Sequence, residues 1–310
     1  MRVYVAGSSG LVGSAISRAV VNKGYELIAS KRSEVDLFDF SQTLTFISDT
    51  KPDLVIDAAA RVGGILANRE HPVDFLLENL RIQENLMRAS NLANISRFVF
   101  LGSSCIYPRN ALQPIKEEYL MTGPLEETNS AYSIAKIAGV ELIKSYRRQF
   151  GRKWISLMPT NIYGPNDNFN LETSHVLAAL IHKFLSAANS GQASVTLWGT
   201  GSARREFLHA DDLARAVLVA VDKYDSESHL NVGTGEDISI KEVAQLIAKI
   251  SGYYGAIKWD PTKPDGTPQK LLEVTKIKKL GWNPEISLED GISSTMTWFK
   301  SAIERGEVKK

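Results

Sequence analysis

Cysteine is almost missing from this chain: Cys105 is the single one among 310 residues. No internal disulfide can form, no cysteine-rich zinc site exists, and no metal is expected. No apolar run approaches the roughly 20 residues that a membrane-spanning helix needs. Met1-Arg2 leads through one short apolar strand straight into glycines, too short a stretch for a secretory leader. Neither sign of charge dominates. The net charge is +1 and the Lys and Arg residues are scattered, so nucleic acid and membrane surfaces are not expected partners, although one local basic site for an anionic ligand stays open. Repeats and low-complexity segments are absent too. What remains is an ordinary composition, 44% hydrophobic and 23% charged, expected of a cytoplasmic protein. Its length suits one large or two modest domains burying about three quarters of their unfolded surface.

Val3-Tyr4-Val5-Ala6 is a short apolar run that ends in Gly7-Ser8-Ser9-Gly10-Leu11-Val12-Gly13, after which Ala15, Ile16, Ala19 and Val20 recur at helical spacing. Strand, glycine turn and helix form the context of a dinucleotide site. Gly7 permits the tight turn, Gly10 lets backbone approach a pyrophosphate, and Gly13 lets the helix sit close to the strand. The helix N-terminus offers amide donors to phosphate. A second strand is expected over 25–30. Lys31 and Arg32 stand at its tip, where cations suit the extra phosphate of NADP, while Glu34 and Asp36 close behind keep NAD open.

Strands over 53–60, 97–102 and 154–158 alternate with helices over 73–93 and from Tyr132 to about Phe150. That alternation predicts an α/β fold with a doubly wound parallel (Rossmann) sheet over 1–165, whose ligands gather at the carboxyl ends of the strands. A loop is expected over 108–127. Beyond residue 165 the patterning changes: helices over 175–188, from Asp211 to Val221, over 240–250 and over 288–302, with a strand at 195–198. A smaller α/β C-terminal substrate domain is expected over 166–310, with 209–232 returning to the first.

Tyr132 and Lys136 stand four apart on one helix face. An ammonium there is expected to stabilise the phenolate, lowering the tyrosine pKa so that it exchanges protons near neutral pH. Ser103, in Gly102-Ser103-Ser104-Cys105 at a strand's carboxyl end, can share the same substrate oxygen. This trio suits proton transfer to a carbonyl while hydride moves from a nicotinamide.

Together these motifs resemble the extended short-chain dehydrogenase/reductase superfamily acting on nucleotide-sugars, over almost the whole chain. The likeness rests on the glycine loop, Ala58-Ala59-Ala60, Asn79, the Ser103 region, Tyr132 with Lys136, Asn161-Ile162-Tyr163-Gly164-Pro165, Arg205-Glu206-Phe207-Leu208-His209 and Asn231-Val232-Gly233-Thr234-Gly235. Gly102-Ser103-Ser104-Cys105-Ile106-Tyr107-Pro108, Met158-Pro159-Thr160-Asn161 with Asp167-Asn168-Phe169 and Ser174-His175-Val176, and Lys263-Pro264-Asp265-Gly266-Thr267-Pro268 are similar to the GDP-L-fucose synthase family. Arg61 stands where that family suggests lysine, and Ser8-Ser9 replace a frequent His-Arg pair. A sugar-nucleotide dehydratase should carry an acidic pair where this chain has Ser104-Cys105.

The resemblance implies NADPH-dependent 3,5-epimerisation and 4-reduction of GDP-4-keto-6-deoxy-D-mannose to GDP-L-fucose, by a homodimer paired through helices near 75–93 and 132–148. It assigns Ser103, Tyr132 and Lys136 to the reduction, Cys105 as epimerising base and His175 as acid. Lys136 would also hold the nicotinamide ribose. Cofactor contacts are carried to Gly7, Ser8, Ser9, Gly10, Leu11, Val12, Gly13, Arg32, Leu101, Gly102, Lys136, Pro159, Thr160, Asn161, Ile162 and His175. Substrate contacts are carried to Lys183, Trp198, Arg205 and Asp265. His71, His182, His209 and His229 are read as structural or surface histidines. A nucleotide-sugar 4-epimerase recycling bound NAD and a non-catalytic NADP-binding regulator are the alternatives.

Overall fold

Short runs of apolar residues, bounded by turn formers and separated by helical periodicity, set up alternating strands and helices from the first residues onward. The computed structural model describes residues 1–263 and 265–307; Pro264, within the 263–268 motif, lies outside the described residues. Strands β1 (Arg2–Ala6), β2 (Glu26–Ala29), β3 (Leu54–Asp57), β4 (Arg97–Leu101), β5 (Ile155–Pro159) and β10 (Leu230–Val232) form one sheet in the order β10-β5-β4-β3-β1-β2. Every pairing in it is parallel. Its central strands are buried on both faces, as helices on either side demand. Helices α1 (Leu11–Asn22) and α7 (Ala210–Lys223) pack together on one side. On the other, α4 (Pro72–Leu92) lies between α2 (Phe40–Thr50) and α5 (Ser130–Phe150).

The chain runs outward from β1 to β2 and then crosses back to β3, so the direction of winding reverses between β1 and β3. That gap is where an open α/β sheet offers a ligand crevice. Here it lies between the Gly7 turn and Ala58-Ala59-Ala60. The strand expected over 53–60 stops at Asp57, leaving the three alanines as open backbone beside the turn.

A second core gathers around α6 (Val176–Ser190), α8 (Ile240–Ser251) and α10 (Leu288–Glu304), with the parallel pair β7 (Ser194–Trp198) and β12 (Ala256–Asp260). Phe169 stacks on Phe299 there, ring centroids 4.0 Å apart. Leu208, most of α7 and β10 belong to the first core. So do Leu272, Val274, Ile277 and Trp282, which the expected span 166–310 had given to the second domain. Short pairs bridge the two bodies: β6 (Asn161–Tyr163) beside β9 (Phe207–His209), and β8 (Arg204–Arg205) between β11 (Ile238–Ser239) and β13 (Gln269–Lys270). Helix α2 was not expected. Its signal was present in Asp39, whose side chain accepts from Gln42 N at 3.1 Å as an N-cap, ahead of Phe40, Leu44 and Ile47 at helical spacing.

Candidate active site

The Gly7 turn has φ +74°, and a Cβ on Gly7 would lie 2.8 Å from the Ala59 Cα. Gly13 has no more room, since its Cβ would overlap the Gly7 carbonyl. Gly10 differs. Its Cβ would meet only Gly7 O at 3.5 Å, and no side chain caps the α1 N-terminus it begins. A bare cradle of amides opening on the winding reversal fits a pyrophosphate, so the residues present fit a dinucleotide. At the β2 tip, Arg32 lies over Phe38, 5.2 Å from the ring centroid. Glu34 accepts from the Lys31 amide at 2.8 Å, and Asp36 from the Phe38 amide at 3.0 Å, each through one carboxylate oxygen.

Strand β4 delivers Gly102-Ser103-Ser104-Cys105 to the same end of the sheet. Ser103 Oγ accepts from the Cys105 amide at 3.2 Å, and Ser133 of α5 donates to the Cys105 carbonyl at 2.9 Å. One hydroxyl thereby orients the turn from within, and the other ties it to the helix carrying Tyr132 and Lys136. Gly139, one turn further along α5, leaves space for the Phe100 ring, which a Cβ would overlap.

The expectation that Lys136 lowers the Tyr132 pKa is corrected. Burial raises the phenol well above its ordinary value, the charge on Cys105 raises it further, and the Ser103 hydroxyl is what pulls it back. Lys136 Nζ is 6.0 Å from the Tyr132 ring centroid and donates to the Leu101 carbonyl at 2.9 Å. Burial holds its ammonium below the usual lysine value.

His175 stands just outside α6 as its N-cap residue. The loop before it is held by the Gly63-Gly64 segment: Gly64 donates to Thr173 O at 2.9 Å, and a Cβ on Gly64 would lie 2.6 Å from Ser174 O. The residue is solvent-accessible, and partial desolvation of its ring together with the Lys270 ammonium holds it below the ordinary histidine value.

Lys270 was missed in the sequence. It lies in β13 directly beside Arg205 of β8, and its Nζ reaches to 3.6 Å from the Cys105 sulfur. It stood two residues beyond the Lys263–Pro268 motif, where no local signal marked it. Lys270 and Arg205 make this wall of the cleft cationic. Arg205 is largely desolvated and held below its usual value, while the charges of Cys105, Asp265 and Glu126 work against that. Glu206, quoted in the Arg205–His209 motif without a role of its own, is fully buried and accepts from Gly235 N at 2.7 Å and Leu272 N at 3.0 Å. It fixes the strand that presents Arg205.

Several expected contacts have other occupations. Thr160 and Asn161 both donate side-chain hydrogen bonds to Glu206 O, at 3.2 and 2.9 Å. The Asp265 carboxylate accepts from the Thr200 amide and hydroxyl, both at 2.8 Å, which ties its loop to the one carrying Thr200. Trp198 is 53% exposed, with Lys263 Nζ 5.6 Å from its ring centroid. Lys183 is half-buried and its ammonium is held below the usual value by that burial. His182, His209 and His229 bond to Phe169 O, Asp211 N and the Tyr107 hydroxyl. Among the described residues no His, Cys, Asp or Glu cluster with metal-binding geometry occurs, and no helix is long and apolar enough to cross a membrane.

Comparison with known proteins matches residues 3–233 to the NAD dependent epimerase/dehydratase family. The GDP-L-fucose synthase of Escherichia coli is 47% identical over 98% of both chains. A GDP-L-fucose synthetase of Naegleria fowleri, solved with NADP bound, superposes with a TM-score of 0.90 at 29% identity, over 99% of this chain and 96% of that one. A GDP-6-OMe-4-keto-L-xylo-heptose reductase from C. jejuni superposes at 0.91 with 35% identity, over 97% of both.

Proposed function

Because the chain belongs to the NAD dependent epimerase/dehydratase family, and within it to the GDP-L-fucose synthases, we propose that it epimerises GDP-4-keto-6-deoxy-D-mannose at C3 and C5 and reduces C4, giving GDP-L-fucose. The protons on the carbons flanking a ketone become acidic when donors stabilise the enolate oxygen. Ser103 and Tyr132 are those donors. Cys105 removes each proton on one face and His175 returns one on the other, inverting the centre. Bound NADPH supplies the hydride for C4. Tyr132 then protonates the oxygen, and Lys136 supports the charge that it leaves. Arg205, Lys183 and Lys270 offer cations to the diphosphate, with Trp198 at the rim.

The observation that carries this reading is the convergence around Lys270. Its ammonium lies 3.6 Å from the Cys105 sulfur, and its charge is felt at His175, as that of Cys105 is at Tyr132. This supports a base, an acid and a ketone-polarising phenol acting on one sugar. Epimerisation distinguishes the reading from a plain 4-reductase. NADP in preference to NAD is supported by the Arg32 guanidinium at the β2 tip. Pairing of two copies through α4 and α5 is supported by the exposed Leu77 and Ile134 on their outer faces.

Mixing the protein with the keto-sugar should consume one NADPH per sugar and yield GDP-L-fucose. A 4-epimerase recycling its own NAD would convert sugar with no net cofactor consumption, and a non-catalytic regulator would do neither.

A further inference from the structure

Strand β3 reads Leu54-Val55-Ile56-Asp57, and its last residue is an anomaly. Asp57 is 1% exposed, in an apolar strand covered on both faces, where an unpaired carboxylate is costly. One oxygen, Oδ1, accepts from the Ala59 amide at 3.2 Å. The other, Oδ2, has no hydrogen-bond partner among the described residues. In the register of the sheet Asp57 pairs with Ala6 of β1 and Phe100 of β4. Partners in a parallel pair project to the same face, so the carboxylate stands beside the Phe100 ring. Lys136 Nζ lies over that ring, 4.8 Å from its centroid, and is 3% exposed. Its bond to Leu101 O leaves further donors free.

Nothing else ionisable is offered to this pair by the elements around it. The buried positions of α4 are amides, a serine and apolar residues, and those of α5 contain Lys136 alone among charged groups. β1 contributes Tyr4, whose hydroxyl is engaged with Ser30 at 3.0 Å.

We propose that Asp57 is a positioning residue for the reduction: it is the buried counter-charge that keeps Lys136 protonated beneath Tyr132. This rests on the reading of Tyr132 and Lys136 given above. The coupling acts in both directions. Burial pushes the Asp57 carboxyl up to about 6 against the pull of Lys136, and Asp57 is the one charge opposing the desolvation that depresses Lys136. Above the Asp57 midpoint the carboxylate is present and holds the ammonium. Without it, Lys136 loses its proton at a lower pH.

The test is the pH profile of NADPH-dependent reduction in Asp57→Asn and Asp57→Leu. The alkaline limb should move down by about one pH unit in both, so that the loss grows with pH. A limb that stays in place, or a rate lowered equally at every pH, overturns the proposal and leaves Asp57 a structural cap for Ala59. A second readout needs no turnover. The infrared band of a buried protonated carboxyl, isolated by subtracting the Asp57→Asn spectrum, should vanish near pH 6 in the parent protein and at a higher pH in Lys136→Met. An unmoved midpoint contradicts the coupling even if the enzyme is active, and a moved one supports it even if the activity reading fails.

Discussion

The Lys270 ammonium lies 3.6 Å from the sulfur of Cys105, a residue 165 positions earlier in the chain. The contact joins β13, in the small sheet that bridges the two bodies, to the turn after β4. A thiolate at this point meets a cation without leaving the cleft. Lys270→Met should slow solvent exchange at the carbons beside the ketone by about 10- to 100-fold. Proton exchange followed by NMR without cofactor checks this. An unaltered rate would confine Lys270 to substrate binding.

Tyr132→Phe removes the proton donor and leaves the ring's edge-on contact with Phe75. Reduction should fall by about 10²- to 10⁴-fold, with an unchanged circular dichroism spectrum and retained NADPH binding. Rapid-mixing absorbance of NADPH reads the loss.

His175 is held below the ordinary histidine value by desolvation and by Lys270. An anionic substrate entering the same cleft favours the protonated imidazole. Substrate binding should therefore take up protons near pH 6.5, with the uptake fading towards pH 8, where the imidazole stays neutral in both states. Calorimetry in buffers of different ionisation enthalpy measures this, and His175→Gln should remove it.

Arg32→Ala should raise the KM for NADPH by about tenfold, the scale of one charge-assisted hydrogen bond, and leave that for NADH nearly unchanged. Steady-state kinetics with both cofactors decides it.

Gly139→Ala forces a methyl into the Phe100 ring. Phe100 is fully buried and lies under Lys136, so the overlap should cost about 1–3 kcal/mol of stability. A lowered melting temperature with partial loss of activity is the expected outcome of a thermal scan.

Much of this architecture was legible in the sequence because its signals are local. Gly7, Gly10 and Gly13 announce the turn, and the spacing of Tyr132 from Lys136 places both on one face of α5. Asp39 and the spacing of Phe40, Leu44 and Ile47 carry α2 just as locally, in a signal weaker than that of the glycine turn. Lys270 and Asp57 were hidden for a different reason. Each acquires its meaning from a partner on another strand or helix, Cys105 for one and Lys136 for the other, and pairing across a sheet leaves no mark at fixed spacing. The return of Leu272, Val274, Ile277 and Trp282 to the first core is likewise a tertiary choice. Tyr132 shows the limit of reasoning by spacing alone. A lysine four residues away suggested an acidified phenol, whereas burial is the larger effect and leaves the phenol raised.

The central claim is that one cleft inverts two centres and then reduces the ketone between them. Conversion of GDP-4-keto-6-deoxy-D-mannose with NADPH in deuterated water tests it most directly. The account predicts deuterium at both carbons flanking the reduced position, and none in any product formed by Cys105→Ser. Reduced sugar carrying no deuterium at either carbon, or label undiminished in Cys105→Ser, would contradict it.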